Sequence, residues 1–188
     1  MKFLALIIGL LIAVPSLAGA QSGAALDPNH TSANFAAKHL LISTVQGNIP
    51  IKSTNVVLGA DYLPSAVEAV MDLTKIDTHN DRRDNDLRSE RFFDVAQYPE
   101  MTFKSTKITR QSGEKFEMNG DLTIHGITKP IVLDGTIGGS IKDKQGRTHV
   151  GYAGTAVIDR RQWNVGATIP PQIVSNEITI TIEAEAII

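Results

Sequence analysis

Five histidines, at positions 30, 39, 79, 125 and 149, are the side chains best suited to metal binding or proton transfer. No two of them have the H-x-x-x-H or H-E-x-x-H spacing that places two zinc ligands on one helix face. His30 and His39 lie about one strand apart, so a metal shared between them would depend on the tertiary fold. We therefore predict hydrogen-bonded or exposed histidines, no metal site and no catalytic residue.

Nucleophilic and nucleotide chemistry have no motif to support them. The chain contains no cysteine, which excludes disulfides, thiol nucleophiles and cysteine-ligated zinc. It also lacks the G-x-S-x-G sequence of a serine nucleophile and the G-x-x-x-x-G-K-[ST] loop that binds nucleotide phosphates. Neither serine-type hydrolysis nor nucleotide chemistry is indicated.

Arginines provide the remaining candidates for ligand contacts. Residues 77–91 carry nine charged side chains in fifteen, and their arginines could bind a phosphate through paired hydrogen bonds. Each of these arginines has acidic neighbours, so we favour a network of ion pairs within the segment. Arg160 and Arg161 beside Trp163 leave two interpretations equally open. One is a head-group contact, and the other is a structural arginine next to a tryptophan that plugs a barrel.

Composition restricts both the fold and the partners. The chain has 188 residues, of which 42% are hydrophobic, which suits one domain with a sizeable core. Its 18 lysines and arginines against 20 aspartates and glutamates argue against nucleic-acid binding through phosphate contacts.

The first twenty residues have the pattern of a secretory signal peptide. Lys2 precedes an apolar run over residues 3–14, and Ala18-Gly19-Ala20 has the small-x-small form of a cleavage site. An apolar run of this length is too short to span a bilayer comfortably, so we favour a cleaved signal peptide over the alternative of an uncleaved membrane anchor. We predict cleavage after residue 20, a mature domain over residues 21–188, and export to a bacterial periplasm.

Alternation of apolar and polar residues predicts antiparallel strands with one dry and one wet face. The alternation is clearest over residues 178–186, and it recurs over residues 33–37 and 116–124. Residues 66–73 also suit a helix, but we favour a strand. Further strands are predicted, between turn-forming residues, over 49–58, 66–76, 101–109, 131–141 and 148–159.

One short amphipathic helix is predicted after the charged segment, which we expect to form a loop. Ser89 is placed to cap the helix, Phe92, Val95 and Ala96 share one face, and Pro99 ends it. About eight strands with so little helix indicate an antiparallel barrel or a sandwich. A barrel of that size either fills its interior with side chains or holds one small ligand.

Motifs along the whole mature domain resemble the YceI-like, polyisoprenoid-binding family. The most specific are the segment from Leu87 to Asp94 with Tyr98-Pro99, and the hairpin from Gly120 to Pro130. The match also includes Leu26-Asp27-Pro28-Asn29-His30-Thr31, Phe35, Lys38-His39, Gly47, Thr78, Arg83-Asp84, Phe103, Ile158-Asp159-Arg160-Arg161-Gln162-Trp163 and Glu177-Ile178.

Two positions depart from the family pattern. Asp86 stands where the family often has histidine, which removes support for a histidine-dependent head-group contact there. Asn164 stands where the family often has glycine, and asparagine tolerates the unusual backbone angles that glycine allows.

The resemblance implies an all-β, lipocalin-like, eight-stranded antiparallel barrel with one or two short helices. It implies an exported, non-catalytic binding or transport protein whose tunnel holds a polyisoprenoid or similar long-chain lipid non-covalently. We expect no cofactor. We expect transient contact with a membrane and a homodimer. We expect the lipid-binding residues to be Phe35, Phe92, Phe93, Phe103, Leu122, Ile124 and Trp163, with His39 and Arg161 as polar contacts.

Two rival hypotheses are retained because a fold alone does not determine a function. One is a metal-assisted periplasmic enzyme that uses His30, His39 and the acidic loop. The other is a ligand-free barrel with an interaction or stress-related role.

Overall fold

A computed structural model of the protein describes residues 22–188. The predicted signal peptide lies outside the described residues. Within them, no helix combines the length and apolarity required to cross a membrane. The described chain forms, in order, β1 (Ser22–Leu26), β2 (Ser32–His39), β3 (Ser43–Asn48), β4 (Ile51–Leu58), β5 (Pro64–Asp72), α1 (Asp81–Arg88), β6 (Glu100–Arg110), β7 (Lys115–Ile124), β8 (Ile127–Lys142), β9 (Thr148–Asp159) and β10 (Val174–Ile187).

These strands form a single antiparallel sheet that closes into a barrel. β1 and β2 follow each other along one side of β10, and β4 and β3 pair with them in turn. β1 and β2 therefore act together as one interrupted strand of the barrel, and β3 and β4 act together as another. Together with β5 to β10 they make an eight-stranded barrel, closed because β10 pairs with β9 on one side and with β1 and β2 on the other. The predicted barrel is confirmed, and the sandwich alternative is wrong.

β9 illustrates why alternation located most of the strands. Its residues Val150, Ala156 and Ile158 are buried, whereas Val157 between them is 59% exposed. The prediction of a strand over 148–159 matches β9 from end to end. The ambiguous residues 66–72 are a strand, but β5 ends at Asp72 and a 3-10 turn over Leu73–Lys75 replaces the predicted end of that strand.

The helix lies earlier than predicted, within the charged segment. Asn80, not Ser89, caps its N-terminus by accepting a hydrogen bond from the Arg83 backbone N–H at 3.0 Å. Acidic residues occupy the first turn and Arg88 the last, as the helix dipole favours. Ser89 is the C-cap, and turns follow it. The predicted charged loop is therefore α1, and the predicted helix is a series of turns.

The largest hydrophobic cluster closes the end of the barrel that lies next to α1. Trp163, from the 3-10 turn Arg160–Trp163, is 1% exposed, and its indole N–H donates to the Leu122 carbonyl at 3.0 Å. Phe92, from the turns after α1, and Ile124, at the end of β7, belong to the same cluster. Their packing joins α1 and its following turns to the barrel.

Candidate functional site

An apolar chamber of about 160 Å³ lies inside the barrel. Residues from β1, β2 and β4 to β10, together with Thr31 before β2, line it, and nearly all of them are apolar. Tyr152 brings a hydroxyl to the wall, but that group donates to the Tyr62 carbonyl at 2.7 Å, and burial raises the pKa of Tyr152 to about 12. The chamber therefore offers an uncharged, mainly hydrocarbon surface.

Large side chains of the barrel wall lie over glycines of neighbouring strands. A Cβ at Gly120 on β7 would collide with the Phe103 ring on β6, and a Cβ at Gly47 on β3 would come within 2.5 Å of the Phe35 ring on β2. Each ring therefore occupies the space that a side chain on the next strand would fill. This packing holds Phe103 against the wall of the chamber.

Methionine is concentrated in the chamber wall. Met71, Met101 and Met118 all line the chamber, and they are the three methionines of the chain beyond Met1. A methionine side chain is unbranched and repacks at low cost. The chamber is smaller than the range of about 300–1,000 Å³ that is usual for small-molecule sites. A long ligand would therefore require these side chains to move, and they are the residues best able to do so.

A second concave surface, the basic cleft, lies between α1, the end of β2 and the chain that leads into β10. Its volume is about 750 Å³. Basic residues line it at Lys38, Arg82, Arg83 and Arg91, and the acidic residue of the lining is Asp86, which pairs with Arg91 at 3.7 Å. Apolar side chains cover its floor, among them Phe35, Phe92 and Val174.

The basic cleft and the apolar chamber adjoin along β2. Ala33 lines the chamber and Phe35 lines the cleft, and residues two apart on a strand lie on the same face. Ile180, which also lines the chamber, is the β10 partner of Phe35. Phe35 is thus the side chain at the boundary between the two spaces.

A buried arginine builds one wall of the cleft. Arg160 is 4% exposed, and its guanidinium donates to the carbonyls of Val165, Ile169 and Val174 at 2.8 to 3.0 Å. It also donates to the carbonyl of Ser175 and to that of Gly166. These bonds fix the segment that brings Ile169 and Val174 to the cleft. Burial lowers the pKa of Arg160, because it disfavours the charged form of the guanidinium.

α1 is fastened to the barrel through a buried carboxylate. Asp84 is 4% exposed and accepts from the Thr78 backbone N–H at 2.9 Å and from the Thr78 hydroxyl at 2.5 Å. Arg83 donates to the same hydroxyl at 2.7 Å. Asn48 and Asp77 exchange backbone hydrogen bonds, so the segment before α1 is tied to the end of β3. Most of the charged segment is therefore engaged in local contacts, whereas Arg82 is exposed at the cleft.

The opposite end of the barrel carries a cluster of histidines and carboxylates. His149 lies 2.7 Å from Glu185 and 3.0 Å from Asp143, and these two contacts raise the pKa of His149. His30 lies 3.0 Å from Asp27, and that hydrogen bond raises the pKa of His30. Although burial opposes it, hydrogen bonding from His149 and Arg147 holds the pKa of Asp143 well below its usual range.

Among residues 22–188, the atoms of Asp27, His30 and Glu185 lie within 4.8 Å of one another and could hold a metal ion. His39 is remote from this group. It lies at the far end of β2, and a strand of that length spans about 25 Å. A single metal site that uses both His30 and His39 is therefore wrong, which removes the form of the enzyme hypothesis that relied on them together.

The predicted lipid-binding residues separate into three groups. Phe103 and Leu122 line the apolar chamber, while Phe35, His39 and Phe92 line the basic cleft. Phe93, Ile124 and Trp163 line neither space and pack in the largest hydrophobic cluster. Arg161 lies outside this arrangement, because it is exposed and its guanidinium pairs with Asp159 at 2.6 Å.

The sequence left the role of Arg160 open between a head-group contact and a structural arginine; the structure shows the structural role, for which a signal was present. The inward-facing residues of β9 are even-numbered, as Ala156 and Ile158 show. Arg160 continues that series, whereas Arg161 falls on the outward side. The methionines of the chamber carried no comparable signal, because a methionine on an alternating strand reads as ordinary core.

Comparison with known proteins places this barrel among relatives. The YceI-like domain matches residues 25–186. A UPF0312 protein of Vibrio parahaemolyticus is 34% identical over 161 residues, which cover 84% of this chain and 85% of the relative. The crystal structure of a Campylobacter jejuni YceI protein aligns with a TM-score of 0.72 at 34% identity, covering 80% of this chain and 89% of that one.

A more distant structure shares the fold. A polyisoprenoid-binding domain from Saccharophagus degradans aligns with a TM-score of 0.61 at 14% identity, covering 87% of this chain and 97% of that domain. At this identity the likeness extends to the barrel architecture.

Proposed function

The chain belongs to the YceI-like family, and from that membership and the form of its interior we propose that it binds a polyisoprenoid or similar long-chain lipid. The observation that carries the proposal is the apolar chamber within the barrel, which adjoins a basic cleft at one end. A structural relative that is a polyisoprenoid-binding domain supports it. The protein acts as a carrier and catalyses no reaction.

The hydrocarbon tail of the ligand lies in the chamber. Each methylene group transferred there from water contributes about 0.8 kcal/mol, so a chain of modest length offsets the cost of ordering it. Movement of Met71, Met101 and Met118 widens the chamber along the tail. No polar contact is needed for affinity within this space.

The head group of the ligand lies in the basic cleft. Arg82 and Arg91 provide positive charge there, and a guanidinium binds a phosphate or carboxylate through paired hydrogen bonds. Phe35, at the boundary, contacts the first carbons of the tail. The cleft thereby selects the head group, while the chamber supplies most of the affinity.

The location of this activity is a bacterial periplasm. The signal-peptide pattern of the first twenty residues supports export, and a carrier of water-insoluble lipids is useful in the aqueous space between two membranes. A mass measurement of the N-terminus of the exported protein tests this part of the proposal.

Titration with a long-chain polyprenol tests the binding function directly. Trp163 is the single tryptophan of the chain, and its indole contacts the backbone of Leu122, a chamber residue. We expect the polyprenol to change the fluorescence of Trp163 in a saturable manner. The variant Ala184→Phe fills the chamber and should abolish this change.

Val157→Phe is the matched control, because Val157 is exposed on the outer surface of β9. This variant should bind the polyprenol as the native protein does. If Ala184→Phe does not fold, the smaller Ala184→Leu replaces it. Undiminished binding by a folded chamber-filling variant would exclude the chamber as the site of the tail.

A further inference from the structure

Three large apolar residues stand exposed at one tip of the barrel. Leu40, Leu41 and Ile42 connect β2 to β3, and they are 47%, 66% and 85% exposed. Ile173, 42% exposed, lies beside them, and its carbonyl accepts a hydrogen bond from the Leu40 backbone N–H at 3.1 Å. We call these four residues the apolar tip. It borders the basic cleft, to which His39 and Ile173 also belong.

The backbone of the tip is one that leucine disfavours. Leu40 and Leu41 have φ values of 51° and 63°, and the Ile42 N–H donates to the His39 carbonyl at 3.2 Å, as in a type I′ turn. Positions with positive φ in such turns normally hold asparagine or glycine. The stability of the fold therefore does not explain two leucines at this point. A contact between these exposed side chains and another molecule explains them.

The charge around the tip indicates what that contact is. Four basic residues and one acidic residue line the adjacent cleft, although the chain as a whole has a formal charge of −2. At the opposite end, by contrast, the carboxylates of Asp27, Asp143 and Glu185 pair with basic groups of His30, Arg147 and His149. An apolar projection next to a basic surface is complementary to the hydrocarbon boundary and the negative head groups of an anionic bilayer.

We propose that the apolar tip inserts into the surface of an anionic lipid bilayer and brings the basic cleft against the head groups. This proposal rests on the proposed function, since it names the surface from which the cleft takes its lipid. A tip of this size gives weak, reversible binding, as a carrier requires in order to leave the membrane again. Part of the attraction is electrostatic, so salt weakens it.

Co-sedimentation with vesicles tests the docking. The protein should bind vesicles of phosphatidylcholine with phosphatidylglycerol more tightly than vesicles of phosphatidylcholine alone, and high salt should reduce the difference. The double variant Leu40→Asn with Leu41→Gly keeps the turn geometry and removes the two apolar side chains. Its apparent affinity for the anionic vesicles should fall about tenfold or more.

Ile141→Asn is the matched control. Ile141 is 72% exposed and pairs with His149, so it lies at the opposite end of the barrel. This variant should bind the anionic vesicles as the native protein does. Equal losses in both variants, or vesicle binding that survives the double variant, would overturn the docking proposal.

Polyprenol titration in the absence of vesicles separates this proposal from the carrier function. The double variant should retain native affinity for dissolved polyprenol, because neither leucine lines the chamber or the cleft. If the native protein binds polyprenol but binds none of the vesicles, the docking proposal is overturned and the carrier function stands. If it binds vesicles but not polyprenol, the carrier function is overturned and the docking to vesicles stands. A dimer that the double variant abolishes, without vesicle binding, would assign the tip to contact between two copies.

Discussion

The two ends of the barrel differ in the side chains that they expose and in the contacts that hold them. At the cleft end, a buried Arg160 fixes the backbone of a long connection, and Leu40 and Leu41 hold a turn conformation that they disfavour. At the other end, His149 joins the carboxylates of Asp143 and Glu185 across β9, β10 and the turn between β8 and β9. The contacts at that end are polar and join partly exposed side chains.

The contrast separates residues that maintain the fold from residues that prepare a binding surface. Hydrogen bonds at the histidine end satisfy groups that the fold itself brings together. At the cleft end, exposed leucines and arginines are displayed at a cost to local stability. Relieving the turn of Leu40 and Leu41 should therefore raise the free energy of unfolding, whereas removing a hydrogen-bonded side chain at either end should lower it.

Replacing Arg160 should have the largest effect on stability. Arg160→Met leaves several buried carbonyls without their donor, and we expect the free energy of unfolding to fall by about 3 kcal/mol or more. Urea denaturation measures the loss. Arg161→Met, one residue later on an exposed side chain, should leave the free energy of unfolding nearly unchanged. Similar losses in the two variants would contradict the role given to Arg160.

Detaching α1 should have the next largest effect. Asp84→Ala removes the acceptor of two hydrogen bonds from Thr78, so the free energy of unfolding should fall by about 2 kcal/mol. Polyprenol affinity should fall as well, because α1 forms one side of the cleft. Asp81→Ala, at the exposed start of the helix, is the control. An unchanged polyprenol affinity in Asp84→Ala would show that α1 does not shape the ligand site.

Relieving the strained turn should stabilise the protein. The double variant Leu40→Asn with Leu41→Gly fits the positive φ values and should raise the free energy of unfolding by about 1 kcal/mol. Thermal unfolding checks the gain. Ile42→Ser alters the same tip at a residue whose φ is not positive, and it should give no such gain. A loss of stability in the double variant would mean that the leucines pack against the protein.

The histidine end should show the smallest effect, with a defined dependence on pH. His149 has a raised pKa, so its protonated form stabilises the folded state; this stabilisation is complete below the unfolded value of 6.5 and is lost as pH rises through the folded value. The melting temperature of His149→Gln should therefore lie furthest below that of the native protein in mildly acidic solution and approach it in alkaline solution.

The same substitution at His39, in the cleft, is the control for that experiment. A deficit for His149→Gln that stays constant or grows with rising pH would contradict the pairing of His149 with Glu185 and Asp143.

Strands with alternating apolar and polar residues were predictable from the sequence. Elements without that alternation, such as β3 and α1, were missed or misplaced. β9 exposes one face and buries the other, so its residues indicate both the strand and its orientation. β3 was missed because its sequence, S-T-V-Q-G-N, contains one large apolar residue. The helix was misplaced because the apolar spacing around Phe92 outweighed the capping signal of Asn80, which precedes a segment with little apolar content.

The site was predictable in part. Inward-facing positions such as Phe103 and Leu122 follow from strand alternation, and they line the chamber. The volume left between the walls depends on which rings lie over glycines of the next strand, as Phe103 does over Gly120, and such contacts between strands require the register. The cleft depends on the placement of α1, so an error in the helix concealed it.

Native mass spectrometry of the mature protein, purified from its own compartment without detergent and followed by solvent extraction, tests the carrier function most directly. We predict one long-chain isoprenoid or similar lipid per chain, retained through purification or taken up again on reloading. A mass without ligand, together with no uptake of polyprenol on reloading, would contradict the carrier function and indicate a barrel filled by its own side chains.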